Sequence, residues 1–319
     1  MPAVPVGTTT NNPGLLHQAS AIYFVKKGLD RLMPELYFWQ LGFKVPLPRN
    51  VGRTIQMFRF NLPGQNTVPA AEGVNPNPVP QSSYPITSIV EQYSDYMDSS
   101  TLYDETDINS IGAAAQMVED LSFRAALSTD SITRAEIDSN TAYTVPTIGA
   151  NLSVADFKAN TSLMKGSNVR PYGSGDWMAV IHPYVEYDIM SDNTAGGFID
   201  CMKYQNGMKL LNGEIGKVAG CRIMSSTNVN ITGTAPNQLF SAYVFGYQSF
   251  CVIPLAGSGP STVTDPKNQR FKVSVVKPGI GPSNPTGEIG TIASYRFVMA
   301  SKITDPQRMR IITCDASLV

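Results

Sequence analysis

The sequence predicts an α+β fold in which one long amphipathic helix accompanies an extended strand pair and a β-dominated C-terminal third. Three observations carry this. Apolar residues recur at helical spacing between Asp104 and Ser128, six prolines at positions 63–85 separate two β-like stretches, and short β-rich runs alternate with Gly/Pro loops from Cys221 onward.

Residues 1–16 are small, polar and Pro-containing, and read as a mobile arm. From His17 to Gly42, Ile22, Val25, Leu29 and Leu32 fall on one helical face until Pro34 interrupts it before the cluster Tyr37, Phe38, Trp39. That stripe is open to two partners, the chain's own body or a neighbour. Arg53 to Phe60 alternates as a half-buried strand, with Thr54, Gln56 and Arg59 set against Ile55, Met57 and Phe58 or Phe60. The prolines that follow exclude a helix or central strand, and Ile86 to Met97 returns as a second β-like stretch. Strand, excursion and strand describe an extended hairpin arm, and a loop of this length is either functional or disordered.

In the long helix, Asp104, Glu105 and Asp107 are expected to load the first turn against the positive end of the helix dipole. Ile108, Ile111, Ala115, Val118, Leu121 and Ala125 form its apolar face, giving a rod of about 36 Å. Ser153 with Asp156 marks the capping box of another helix. Trp177 to Ile181 reads as a compact strand, and His182-Pro183 ends it and opens a helix over Tyr184 to Met190. Phe198 to Leu211 is a further helical candidate, so this region reads as an α/β subdomain. Beyond it the expected strands are Arg222 to Met224, Ala242 to Pro254, Phe271 to Val276, Ser294 to Ser301 and Arg308 to Cys314. The run Gly213-Glu-Ile-Gly216 before Arg222 is echoed at Gly287-Glu-Ile-Gly290 before Arg296, two similar approaches to a strand.

Composition narrows function. The 319 residues carry 24 Lys+Arg against 25 Asp+Glu, only 15% charged, which excludes a highly charged disordered chain. A hydrophobic fraction of 42% with 13 Phe and 14 Tyr supplies cores for roughly two domains. No apolar run approaches the ~18 residues of a membrane span and no signal-like leader opens the chain, so a soluble, unexported protein is expected. His17 and His182 alone cannot supply a multi-His metal site, and Cys201, Cys221, Cys251 and Cys314 lack Cys-x-x-Cys spacing and read as buried thiols in a reducing cytosol. A phosphate loop fails because Val218 follows Gly216-Lys217 and Leu211 stands at the first Gly position. His182 is the one plausible base for a hydrolase. The C-terminal basics Lys267, Arg270, Lys272 and Lys277 read as a solvated strand edge or as a face toward packaged nucleic acid. No catalytic, cofactor or metal residues are assigned.

Charge is segregated. Between Arg59 and Arg124 there is no Lys or Arg, while Glu72, Glu91, Asp95, Asp98, Asp104, Glu105, Asp107, Glu119 and Asp120 fall there; upstream, Lys26, Lys27, Arg31, Lys44, Arg49, Arg53 and Arg59 outnumber Asp30 and Glu35. This is either ordinary surface bias or a basic arm of one chain meeting an acidic helix and loop of the next, where such charges set register. The candidate interface residues are Lys26, Lys27, Arg31, Arg53, Arg59, Glu72, Asp95, Asp98, Asp104, Glu105 and Asp107.

Taken in order, these parts resemble the major capsid proteins of tailed bacteriophages, which have the Hong Kong phage capsid fold also used by encapsulins. The matching segments are Ala71-Glu-Gly73, Ile181-His-Pro-Tyr184, Gly213-Glu-Ile-Gly-Lys-Val-Ala-Gly220 leading to Arg222, and Asp265-Pro-Lys-Asn-Gln-Arg270 before Phe271 to Val276. The resemblance covers about residues 20–319. It implies an N-terminal arm (1–50), an extended loop (51–98), a peripheral domain with the spine helix (99–165, completed by 280–319) and an axial domain (166–279). It further implies hexamers and pentamers of an icosahedral shell around double-stranded DNA, with a scaffolding protein, a portal and a cementing protein as partners. The product is a virion protein assembled in the bacterial cytoplasm, and no membrane is involved. An encapsulin-like compartment is the alternative. No Lys lies between Lys44 and Lys158, so the crosslink that some relatives form through a loop lysine is not expected.

Overall fold

The computed structural model describes residues 37–48, 51–61, 67–69, 72–73, 75, 78–106, 110–173, 175–192, 198, 214–235, 237–255, 271–276, 286 and 288–318. The mobile arm, the helix expected before Tyr37, most of Phe198 to Leu211 and the segment Asp265 to Arg270 lie outside them. The chain divides into two compact units, one taking in 91–129 and 254–299, the other 37–90, 130–253 and 300–319 among the described residues.

In the first unit, β13 (Ile289–Ile303) lies between two antiparallel partners over its first part. β12 (Phe271–Val276) pairs Val273 with Tyr295, and β4 (Glu91–Ser100) pairs Tyr93 with Phe297. Tyr93 and Phe297 stack at 5.4 Å between centroids, a cross-strand aromatic pair of the kind that sets register. β4 runs into a short helix α2 (Thr101–Thr106), and after it comes α3 (Ser110–Asp138), 29 residues or about 43 Å long. Ala115, Val118, Leu121 and Ala125 are all buried, as the apolar period predicts.

Three expectations for this region are corrected. Asp104 and Glu105 sit in α2 and not in the first turn of the long helix, which holds no acidic residue. The long helix runs on to Asp138, beyond its apolar stripe, because tertiary hydrogen bonds replace apolar contacts there. Ile86 to Met97 is two strands that separate at Val90: β3 (Ser83–Ile89) pairs with β2 (Thr54–Phe60), and β4 pairs with β13. Val90 is buried and its N–H bonds Arg53 O at 2.8 Å, which pins the divergence point.

The second unit is built on a mixed sheet in the order β5-β14-β10-β6-β8-β7, with β9 (Ile231–Thr232) added beside β10. Its strands are β5 (Thr144–Asn151), β6 (Trp177–Ile181), β7 (Glu214–Val218), β8 (Cys221–Ser225), β10 (Leu239–Phe245) and β14 (Met309–Asp315). β10 is central and covered on both faces, which is why Ala242 to Phe245 reads as an unbroken apolar run. Phe240, Ala242 and Val244 join Ile312, Ala179 and Ile181 in one core with Phe157 and Met164 of α4 (Val154–Gly166) and Val185 and Ile189 of α5 (Pro183–Ser191). On the other face, Phe38 meets Tyr243 and Phe245 edge-on at 5.3 and 6.3 Å.

Local chemistry fixes the helix starts as read. Ser153 and Asp156 complete a capping box on α4. His182 caps α5 through Nδ1, which accepts from Tyr184 N, with Pro183 in the first turn. The two Gly-Glu-Ile-Gly runs diverge. The first leads into β7, which turns back at Ala219-Gly220, both at positive φ (53° and 81°), so that Arg222 lies on β8 opposite Lys217. The second enters β13 through a register shift between Ile289 and Ile292 and stays on that strand to Arg296. Ala242 to Pro254 is likewise two strands, β10 and β11 (Phe250–Pro254), separated by a turn through Gln248 at φ 55°. Strand β5 carries Pro146 and Gly149 and escaped the sequence reading for that reason.

Candidate assembly surfaces

The described chain begins with an anchor. α1 (Phe38–Leu41) is a single turn without a side-chain cap of its own, and Asp130 on α3 supplies one. Asp130 Oδ2 accepts from Tyr37 N at 2.7 Å and Phe38 N at 3.3 Å, and Oδ1 accepts from Trp39 N at 3.0 Å. Phe38 is fully buried, Tyr172 Oη donates to Leu41 O, and Lys44 Nζ sits 3.8 Å above the Trp39 ring. Gly42 follows at φ -69°, where a Cβ would meet the Phe250 ring and a Val252 methyl at 2.7 Å; glycine is there for space. β1 (Phe43–Lys44) then pairs in parallel with β11. The stripe of Ile22, Val25, Leu29 and Leu32 lies outside the described residues; residues 37–44, which follow it, pack on their own body.

The polar C-terminal half of α3 is a hub. Besides Asp130, Arg134 Nη1 donates to Asn228 O and Val229 O, Glu136 pairs with Lys302 at 2.8 Å, and Asp138 accepts from Tyr243 Oη at 2.6 Å. These partners explain a helix that no apolar period announces.

The β2–β3 ribbon is a two-stranded sheet, antiparallel from Thr54↔Ile89 to Phe60↔Ser83. Ile55, Met57 and Arg59 are half-buried, whereas Gln56, Phe58 and Phe60 are exposed. This corrects the expected facing: strand parity groups Arg59 with Ile55 and Met57, and its guanidinium is held inward by Asp305 at 3.1 Å. Phe58 (57% exposed) and Phe60 (61%) therefore present aromatic surface to solvent on the outward face; Tyr84, opposite Arg59 and so on the other face, is exposed as well, and Val68 and Val79 add exposed aliphatic surface. A second exposed stripe, Tyr184, Tyr187 and Met190, runs along α5. Neither was singled out from sequence, although the period of two, applied strictly, gives the first.

Of the candidate interface residues, Lys26, Lys27, Arg31 and Asp107 lie outside the described residues, and Asp104 and Glu105 are placed by backbone alone. Arg53 Nε donates to Val90 O at 3.4 Å, Arg59 pairs with Asp305, and Asp95 pairs with Arg124 at 2.6 Å. Glu72 and Asp98 are exposed, at the ribbon tip and on β4. Among the described residues, the ion pairs of Arg59 and Asp95 are with Asp305 and Arg124, both outside the candidate set.

Three thiols, Cys221, Cys251 and Cys314, are buried and unpaired in disulfides. Burial pushes Cys221 and Cys314 up to about 12, so both stay protonated. His182 is buried against the Phe240 ring at 4.7 Å, burial lowers its proton affinity, and its Nδ1 is engaged by the helix cap. An open cleft of about 400 Å³ between the start of α4 and α5 is lined by Ser153, Tyr187, Asp188 and Ser317, with Asp188 accepting from Ser317 N at 2.9 Å. Among the described residues no group of three His, Cys, Asp or Glu is placed to hold a metal, and no helix is long and apolar enough to cross a membrane.

No protein-family model and no curated protein sequence matches the chain. The fold does match solved structures. The capsid of Ralstonia phage GP4 superposes with a TM-score of 0.63 at 12% identity, covering 89% of this chain and 92% of that one. The capsid of cyanophage P-SCSP1u gives 0.59 at 12% identity, covering 87% of each. The SrpI encapsulin of Synechococcus elongatus gives 0.56 at 10% identity, covering 89% and 90%. The chain thus has the mixed α+β fold of phage capsid subunits, the Hong Kong phage capsid fold, along nearly its whole length.

Proposed function

We propose that the chain is a noncatalytic structural subunit that assembles with copies of itself into a closed icosahedral shell, the head of a tailed phage. The observation that carries this reading is the agreement of fold with the GP4 capsid over 89% of this chain and 92% of the other. Exposed aromatics on a ribbon that, among the described residues, forms a sheet of two strands support it physically. Two strands alone are marginally stable in water, and surface of this kind gains by burial on a partner.

In this reading the chain forms hexamers and pentamers around double-stranded DNA, held without sequence-specific contacts. A scaffolding protein, a portal and a cementing protein complete the particle, which is assembled in the bacterial cytoplasm and ends as a virion. The segments keep their assignments: arm 1–50, extended loop 51–98, peripheral domain 99–165 with 280–319, axial domain 166–279. Lys26, Lys27, Arg31, Arg53, Glu72, Asp98, Asp104, Glu105 and Asp107 remain interface candidates; Arg59 and Asp95 join them only by exchanging partners they already have.

The likeness to the SrpI encapsulin favours a second reading, a compartment of the same fold that holds cargo protein. Electron microscopy of the purified full chain tests both. Closed shells or ring-shaped capsomers are expected, and a monodisperse monomer at high concentration overturns the shell reading. Nucleic acid or an enzyme inside the particles then separates phage head from compartment.

A further inference from the structure

We infer that Arg59 and Asp305 form an electrostatic latch that holds the β2–β3 ribbon at a fixed angle to the chain's own body, and that its opening lets the ribbon adjust. The ribbon's base is pinned where Val90 N bonds Arg53 O at 2.8 Å. Farther out along the inward face, Met57 Sδ lies 3.9 Å from Cys251 Sγ, and Arg59 Nη1 reaches Asp305 Oδ1 at 3.1 Å. Arg59 is five residues beyond Thr54, a lever of about 17 Å. The thioether contact is soft and nondirectional, so the ion pair is the contact that fixes an angle.

The site is built to exist in two states. Asp305 is buried, and it keeps other partners when Arg59 leaves. Its Oδ2 is bound by Arg308 Nε at 3.1 Å, its Oδ1 accepts from Gln307 N at 3.1 Å, and its own N–H bonds Ser249 O at 3.1 Å. Opening therefore strands no unpaired buried carboxylate, the outcome that makes breaking most buried pairs expensive. Arg59, with a side chain already 29% exposed, moves into water. Under the shell reading, on which this consequence rests, one ribbon must seat on neighbours at slightly different angles around five-fold and six-fold axes. A single releasable ion pair supplies that tolerance.

The thiol under Met57 reports the latch. Cys251 is fully buried, and Cys221 and Cys314, in the core of the mixed sheet, serve as internal controls for unfolding. Alkylation of the unassembled full chain by iodoacetamide, read by mass spectrometry at each cysteine, is expected to be about fivefold faster at Cys251 in Arg59→Ala, with Cys221 and Cys314 unchanged and Arg59→Lys intermediate. Raising salt from about 50 mM to about 0.5 M should speed Cys251 alkylation in the wild-type chain. An Arg59→Ala rate equal to wild type, or one that rises together with Cys221 and Cys314, overturns the latch. If the variant does not fold, the salt response decides: a rise confined to Cys251 supports the latch and a flat response overturns it. Absence of shells together with an intact Cys251 response refutes the shell reading alone.

Discussion

Asp130 binds three backbone N–H groups and still has its carboxyl raised to about 6, because burial outweighs those hydrogen bonds and the nearby Lys44 charge. The native chain thus holds this proton more tightly than an unfolded chain, in which a free Asp titrates near 4. Its contribution to stability is fully present below about 4 and is lost as pH rises through about 6. Replacing Asp130 by Asn removes this dependence and at least one hydrogen bond, at about 1 kcal/mol. In denaturant titrations the wild-type chain should gain on the Asn variant as pH falls from 7.5 to 4.5; a gap independent of pH contradicts the assignment. Asp176 has the opposite sign. Burial opposes its ionisation, but the Lys217 and Arg222 hydrogen bonds and charges prevail and hold it below the usual carboxylate range, so its contribution disappears only in strong acid.

Elements differ in how legible they were. α4 and α5 start where the Ser153 capping box and the His182-Pro183 junction say they do, because a cap is a local contract between residues a few positions apart. The face of α3 from Ala115 to Ala125 was legible for a similar reason, since periodicity reports burial directly, whereas β10, buried on both faces, could not be told from β11 within the run Ala242 to Pro254. The last ten residues of α3 were not. They are helical because Asp130, Arg134, Glu136 and Asp138 find partners roughly 90 to 170 positions away in sequence, and no local pattern encodes such pairs. The ribbon was legible as an excursion but not in its facing, because Arg59 turns inward to an aspartate that only the fold brings near. The Ala219-Gly220 turn offers a test at this scale. Gly220→Ala meets only Trp177 Cδ1 at 3.8 Å, an ordinary contact, so its cost is that of positive φ, roughly 1 to 2 kcal/mol in chemical denaturation. A neutral result refutes the turn geometry.

At the scale of the molecule, the sequence describes an arm and an extended hairpin ahead of the long helix, and the described part of that stretch divides in two. Tyr37 to Lys44 is bound to the chain's own core, while the ribbon's outward face stays open. Limited proteolysis of the free chain should therefore cut among the exposed residues 78–82 and spare 37–48, and under the shell reading the cut at 78–82 is lost in particles; cleavage inside 37–48 in the free chain removes the anchor. Gly42 gives that anchor a genetic meaning. A methyl group placed there has to displace both Phe250 and Val252, so one codon change is expected to loosen the docked front. An alanine at this position is the design for a heat-labile variant, its weakened front read as a lower midpoint in thermal unfolding.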